Sequence, residues 1–183
     1  TDDSWPASSS NGSELKHLAT IAKDIGADIP FFLQNKACLV SGHGEILEPL
    51  ENRFKIPAII ITPNIHCETK SIFKVFDELP QPQWEYEPHL IINYLRSANS
   101  EINNHLRNDL ERASCTVHPK LGSIFSELRQ ILEKQCFYCG MSGSGSAFFA
   151  LFKSLDLSQK ALIKLRQAGY KAYQTNFCSE IEH

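Results

Sequence analysis

Residues 140–152 constrain the fold more than any other stretch. Gly140-Met141-Ser142-Gly143-Ser144-Gly145-Ser146 runs directly into Ala147-Phe148-Phe149-Ala150-Leu151-Phe152. The apolar and aromatic run Cys136-Phe137-Tyr138-Cys139 stands just before it. Short apolar runs on either side of a glycine-rich break predict a strand, a tight loop and a second strand. Glycine takes positive φ freely and leaves no side chain between the backbone and a ligand. Successive N–H groups in such a loop form a concavity that suits phosphate oxygens, and the serine hydroxyls add donors. The same composition equally fits a plain hairpin turn. The stretch is not a Walker A sequence, because no Gly-Lys-Ser/Thr follows, and it does not open a helix as a dinucleotide fingerprint would.

Composition narrows the class. The chain has 183 residues, 42% hydrophobic and 21% charged, which is ordinary globular usage. A net charge of −3 supplies no basic face for nucleic acid. No apolar run reaches membrane-spanning length, so neither nucleic acid nor membrane is expected as a partner. The six cysteines, at 38, 67, 115, 136, 139 and 178, are scattered. With no recognisable secretory signal, they read as free thiols in a reducing compartment, which is the cytoplasm. Cys136 and Cys139 form a lone Cys-x-x-Cys without a second pair and are assigned neither zinc nor redox chemistry. The dispersed histidines show no metal-ligand spacing, and no metal ligand is predicted in the protein.

In chain order, Thr1–Gly12 reads as a mobile polar end. Ser13 is placed to cap a helix to Ile25, with Leu15, Leu18, Ala19, Ala22 and Ile25 on one face and Gly26 as its stop. Asp28, between that stop and Ile29-Pro30-Phe31-Phe32-Leu33, is the most pointed carboxylate in the sequence. A helix C-terminus and apolar neighbours both disfavour its charge, yet Asp is also a common turn residue. Lys36–Val40 and Gly44–Leu47 predict two strands about a glycine turn, and Ile56–Thr62 a buried strand. Helices are predicted over Thr69–Phe76, Glu87–Leu95, Glu101–Ala113, from Pro119 through Leu132, and over Ser158–Ala168, with a last strand at Tyr170–Thr175. Phe73 suits core packing on residue type alone, and Asn108-Asp109-Leu110-Glu111 suits a solvated face. The alternation predicts an α+β sandwich with helices on one face of a mostly antiparallel sheet.

Three stretches in this order, Gly26-Ala27-Asp28-Ile29-Pro30-Phe31-Phe32, Gly42-His43-Gly44-Glu45-Ile46-Leu47 and Ser142-Gly143-Ser144-Gly145, resemble the motifs of the GHMP small-molecule kinases. Asn108-Asp109-Leu110-Glu111 and the segment from Thr69 to Phe73 narrow the resemblance to the branch acting on a cytidine-diphosphate-linked methylerythritol. The resemblance runs from about residue 14 to residue 175. It implies a GHMP kinase-like fold, with residues 1–55 a partial N-terminal lobe and residues 56–183 the C-terminal, ferredoxin-like domain. It also implies transfer of the γ-phosphate of ATP, carried with Mg2+, to the 2-hydroxyl of that substrate, in non-mevalonate isoprenoid precursor synthesis. Asp28 matches the catalytic aspartate that takes or orients the hydroxyl proton. Ser142, Gly143, Ser144 and Gly145 match the loop beside the nucleotide phosphates. Phe73 matches the aromatic that stacks on cytosine, and Thr69 lies on the same substrate-facing helix start. A monomer or weak homodimer, cytoplasmic or plastidial, is the expected state.

The family's N-terminal strand with its catalytic lysine, and its long glycine-rich phosphate loop, have no counterpart in these residues. Ala7-Ser8-Ser9-Ser10-Asn11 resembles only the end of that loop. The chain is therefore expected to match the C-terminal two-thirds of the family pattern and to be inactive alone, since the absent groups carry much of the electrostatic stabilisation. Residues 14–50 are expected to expose apolar surface. Two other readings remain open: another GHMP kinase with a mevalonate, homoserine or sugar substrate, and a non-catalytic ligand-binding domain of the same fold.

Overall fold

The computed structural model describes residues 12–26, 29–34, 37–42, 44, 46–50, 55–80 and 87–178. The chain divides into two compact units, one within residues 1–54 and 178–183 and the other spanning 55–177. In the first, helix α1 (Gly12–Ile25) is followed by α2 (Ile29–Gln34) and an antiparallel hairpin of β1 (Cys38–Ser41) and β2 (Ile46–Pro49). The hairpin register runs from Cys38 opposite Pro49 to Ser41 opposite Ile46. Its turn uses Gly42 at φ 70° and Gly44 at φ 113°, backbone angles that a side chain resists. Ile29–Gln34, given no element by the sequence, closes into a short helix with Pro30 near its start, where the missing N–H costs nothing. Ala22 and Leu47 are buried, while Leu18, Ile21, Ile25, Phe32, Val40 and Ile46 are exposed, so this unit does present apolar surface.

The second unit contains β3 (Lys55–Ile61), α3 (Thr69–Glu78), α4 (Pro88–Ser97), a 3-10 turn (Ser100–Asn104), α5 (Leu110–Val117), α6 (Pro119–Leu132), β4 (Tyr138–Met141), β5 (Phe148–Leu151), α7 (Leu155–Gln167) and β6 (Ala172–Cys178). The sheet order is β4-β5-β3-β6, with β5 antiparallel to both β4 and β3. This is the ferredoxin-like order, in which the first and third strands of a βαββαβ chain lie at the centre. No helix among the described residues is long and apolar enough to cross a membrane.

Strand alternation and helical periodicity meet in one core. Ile59 and Ile61 of β3 and Phe148 and Ala150 of β5 project to the same side. They join Leu121, Phe125, Leu128 and Leu132 of α6, Ala161 and Leu165 of α7, Ile72 of α3 and Ala113 of α5 in a single buried cluster. The α6 residues recur at the spacing of one helical face. Phe125 stacks on Phe148 with ring centroids 5.0 Å apart. Truncating a residue such as Leu128 to alanine would cost about 2–5 kcal/mol.

Other elements of the second unit also differ from the sequence reading. The helix expected over Glu101–Ala113 is instead a 3-10 turn, an irregular stretch and the separate helix α5. Asparagine side chains take the backbone's bonds there: Asn99 accepts from the Glu101 N–H, Asn103 donates to Ser100 O, and Asn108 accepts from the Leu110 N–H. Such side chains offer the chain an alternative to helical bonding. Helix α7 begins at Leu155 rather than Ser158 because Ser154 caps it, its Oγ accepting from the Leu157 N–H at 3.3 Å. Cys136 lies outside β4, since its N–H closes back onto Leu132 O at the end of α6.

Candidate active site

The glycine loop is the hairpin connection between β4 and β5. Inside it, the Ser142 N–H donates to Ala147 O (2.9 Å) and the Gly145 N–H to Ser142 O (3.0 Å). Gly143 (φ 55°) and Gly145 (φ 86°) supply the left-handed backbone that this path requires. A Cβ at Gly145 would stand 2.8 Å from Met141 Sδ, whereas one at Gly143 would meet nothing within 4 Å. Among the described residues, the N–H groups of Gly143 and Ser144 donate to no protein acceptor. Those two neighbouring donors give the loop its capacity to hold an anion.

Other elements hold the loop in place. Asn108, at the start of α5, donates through Nδ2 to Met141 O (2.9 Å) and Gly143 O (2.7 Å). Its Oδ1 accepts from the Leu110 N–H (3.0 Å), so one side chain starts a helix and clamps the loop. Ser114 Oγ, fully buried, donates to Ser144 O at 2.9 Å. Ser146 Oγ donates to Pro63 O (3.0 Å) and Ile65 O (2.6 Å), pinning the loop's exit to the segment between β3 and α3. Thr69 Oγ1 lies 3.0 Å from Ser144 Oγ, which brings the first turn of α3 against the loop. The N-terminal end of a helix favours negative charge. The buried Cys67 thiol is pushed above its ordinary pKa by desolvation.

The structure therefore brings Thr69 and Ser144 together, with Ser142 and Gly143 exposed beside them. Phe73, one turn further along α3, is 47% exposed rather than packed in the core, and its ring meets Phe76 edge-on with centroids 6.4 Å apart. Asp28 lies outside the described residues. Sequence reasoning missed Asn108, Ser114 and Ser146 as loop-positioning groups. An asparagine just before a helix start is a capping signal that could have singled out Asn108. Ser114 and Ser146 act through tertiary contacts that leave no local pattern. Asn108-Asp109-Leu110-Glu111 is not a plain solvated face: Asn108 is half-buried in these bonds.

A ferredoxin-like sheet thus carries a glycine-serine loop between its hairpin strands, with the first turn of α3 against that loop. Residues 93–171 match the family described as GHMP kinases C terminal. The chain is 31% identical over 154 residues to the 4-diphosphocytidyl-2-C-methyl-D-erythritol kinase of Thermodesulfovibrio yellowstonii, covering 81% of this chain and 53% of that one. It is 36% identical over 152 residues to the kinase of the same name from Porphyromonas gingivalis, with coverage of 81% and 52%. It matches a crystal structure of 4-(cytidine 5'-diphospho)-2C-methyl-D-erythritol kinase with a TM-score of 0.68 and 27% identity, over 87% of this chain and 56% of that one. The chain shares the fold of that solved kinase, and its residues 93–171 match the C-terminal part of the GHMP kinases. It spans about half the length of the curated relatives it matches.

Proposed function

We propose that the chain serves ATP-dependent phosphorylation of the 2-hydroxyl of 4-diphosphocytidyl-2-C-methyl-D-erythritol. The observation that carries this reading is the meeting of the glycine loop with α3: the Thr69 and Ser144 hydroxyls are 3.0 Å apart, and Phe73 stands exposed one turn along. The loop's Gly143 and Ser144 N–H groups suit oxygens of a transferring phosphoryl group, where fixed donors stabilise developing charge. Phe73 offers a ring on which cytosine stacks, and Thr69 a hydroxyl at the edge of the same site. Asp28 is the proposed group that accepts the substrate's hydroxyl proton. Among the described residues no group of three carboxylate, thiol or imidazole side chains is arranged for a metal. In this reading Mg2+ comes held by the triphosphate and neutralises its charge.

Calorimetric titration of the chain with the cytidine-diphosphate substrate, and separately with Mg-ATP, tests the proposal. Substrate binding that Phe73→Ala abolishes while the thermal unfolding midpoint holds would support it. Wild-type substrate affinity in Phe73→Ala would refute the stacking role, and no binding of either ligand by the wild-type chain would refute the site.

A further inference from the structure

A cavity of about 410 Å³ opens beside β4, and neither Thr69, Phe73 nor Ser144 lines it. Its wall includes Arg107, Glu111, Arg112, Arg129, Tyr138 and Gly140. Gly140 has no side chain, so the main chain of β4 is itself part of that wall. β4 ends the sheet order, with β5 on one side and, among the described residues, no strand on the other. An edge strand leaves main-chain N–H and C=O groups on its open side. The Ser142 N–H turns towards β5, donating to Ala147 O, while Met141 O turns away and accepts from Asn108 Nδ2. Alternate residues of an antiparallel strand point these groups to the same side. Cys139, two residues before Met141, therefore turns its N–H to the open edge, where no acceptor among the described residues takes it. Cys139 and Asn108 both line the cavity.

The guanidinium groups give the wall its charge. Glu111 holds Arg129 at 2.6 Å, and Asp109, outside the lining, holds Arg107 at 2.8 Å. Arg129 also lies over the Phe148 ring at 5.5 Å, which fixes its place further. A guanidinium carries five N–H donors in a rigid fork, so the pair with Glu111 leaves Arg129 with donors to spare. The exposed Arg112 side chain enters no ion pair or hydrogen bond among the described residues. Three guanidinium groups against these two carboxylates leave one positive charge uncompensated, although the whole chain carries −3. A hollow of this size takes a metabolite-sized molecule rather than a bare ion.

We propose that this cavity binds a small polyanion, a metabolite with adjacent phosphate or carboxylate groups, on Arg112, Arg129 and the Cys139 N–H. Arginine forks pair with both kinds of oxygen, and a main-chain N–H adds a directed donor. The ligand would lie against Asn108, whose amide holds Met141 O and Gly143 O of the glycine loop. Occupancy of the cavity would thereby steady the loop from its outer side.

The test is an NMR titration of the whole 15N-labelled chain with pyrophosphate, and separately with citrate, at constant ionic strength. The Cys139 and Gly140 amide signals should move and saturate as for a single site. Either anion doing so supports the site, and the tighter of the two tells phosphate from carboxylate recognition. Arg112→Gln should weaken that binding by about tenfold or more, as loss of a charge-assisted hydrogen bond does. The proposal fails if neither anion moves the Cys139 and Gly140 signals. It fails too if only the Gly143 and Ser144 amides respond, because the anion then sits on the glycine loop alone. Wild-type affinity in a folded Arg112→Gln chain would also overturn it. The wild-type titration stands without any variant, so a folding defect in Arg112→Gln would not rescue the idea.

Discussion

Thr69 and Ser144 place their hydroxyl oxygens 3.0 Å apart across 75 residues of sequence. The contact joins the first turn of α3 to the tip of the glycine loop, and Asn108 makes it possible by fixing the loop from the other side. Asn108→Ala would leave Met141 O and Gly143 O without their amide donor and strip the Leu110 N–H of its cap. A lost capping and clamping amide is worth about 1–3 kcal/mol. Asn108→Asp keeps the cap but sets a carboxylate against two carbonyl oxygens, so it should loosen the loop while sparing α5. Hydrogen exchange checks this: the Ser142 and Gly145 amides should exchange faster in both variants, and the α5 amides faster only in Asn108→Ala.

The two loop glycines are not equivalent. At Gly143 (φ 55°) an added Cβ meets nothing within 4 Å, so Gly143→Ala carries only the backbone penalty of about 1–2 kcal/mol. At Gly145 (φ 86°) the Cβ also comes within 2.8 Å of Met141 Sδ, and Met141 is itself buried with little room to yield. Gly145→Ala should therefore be the more damaging, by about a further 1 kcal/mol or more, as overpacking usually is. Denaturant titration of both variants decides it; equal midpoints would show that Met141 moves aside freely.

Much of this arrangement is legible in the sequence wherever the signal is local. Continuous apolar runs mark β3 and β5, the Leu121–Leu132 spacing marks α6, and Gly143 and Gly145 mark the loop. Phe73 shows the limit: an aromatic on a helix reads as core, and only the packing of α3 reveals it as half-exposed. Residues 99–110 mislead for a definite reason. Their spacing is helical, but Asn99, Asn103 and Asn108 spend their amides on backbone groups, two of them reaching β4 and the residue before it. Such long-range bonds have no sequence period. The serines of the loop look alike in sequence for the same reason, although their surroundings assign them different work.

That difference is measurable at Ser142 and Ser146. Ser146 is buried and its hydroxyl serves Pro63 O and Ile65 O, whereas Ser142 is exposed at the mouth of the loop. Ser146→Ala should lower stability by about 1–2 kcal/mol, because Ile65 O loses its donor while Pro63 O keeps only the Ile65 N–H. Ser142→Ala should change it by less than about 0.5 kcal/mol, as for other surface positions. Thermal unfolding of the two variants side by side tests the assignment, and a larger loss in Ser142→Ala would reverse it.

The last contact to test lies away from the loop, where α7 ends and β6 is about to begin. Tyr170 donates its hydroxyl to Glu127 of α6 at 2.7 Å. Desolvation by burial, then the hydrogen bond and charge of Glu127, push the phenol up to about 12. The folded chain thus holds this proton more tightly than the unfolded chain, whose tyrosines titrate near about 10. Where the unfolded state has fewer protons bound, stability falls as pH rises. The contribution of Tyr170 is therefore fully present below about pH 10 and lost as pH climbs through about 12. Tyr170→Phe removes both the bond and the titration. The stability gap between wild type and Tyr170→Phe should be constant from neutral pH to about pH 10 and should narrow above it. Urea titrations at pH 8 and at about pH 11 measure the gap at each end, and a gap that widened with pH would show that Glu127 does not hold the phenol proton.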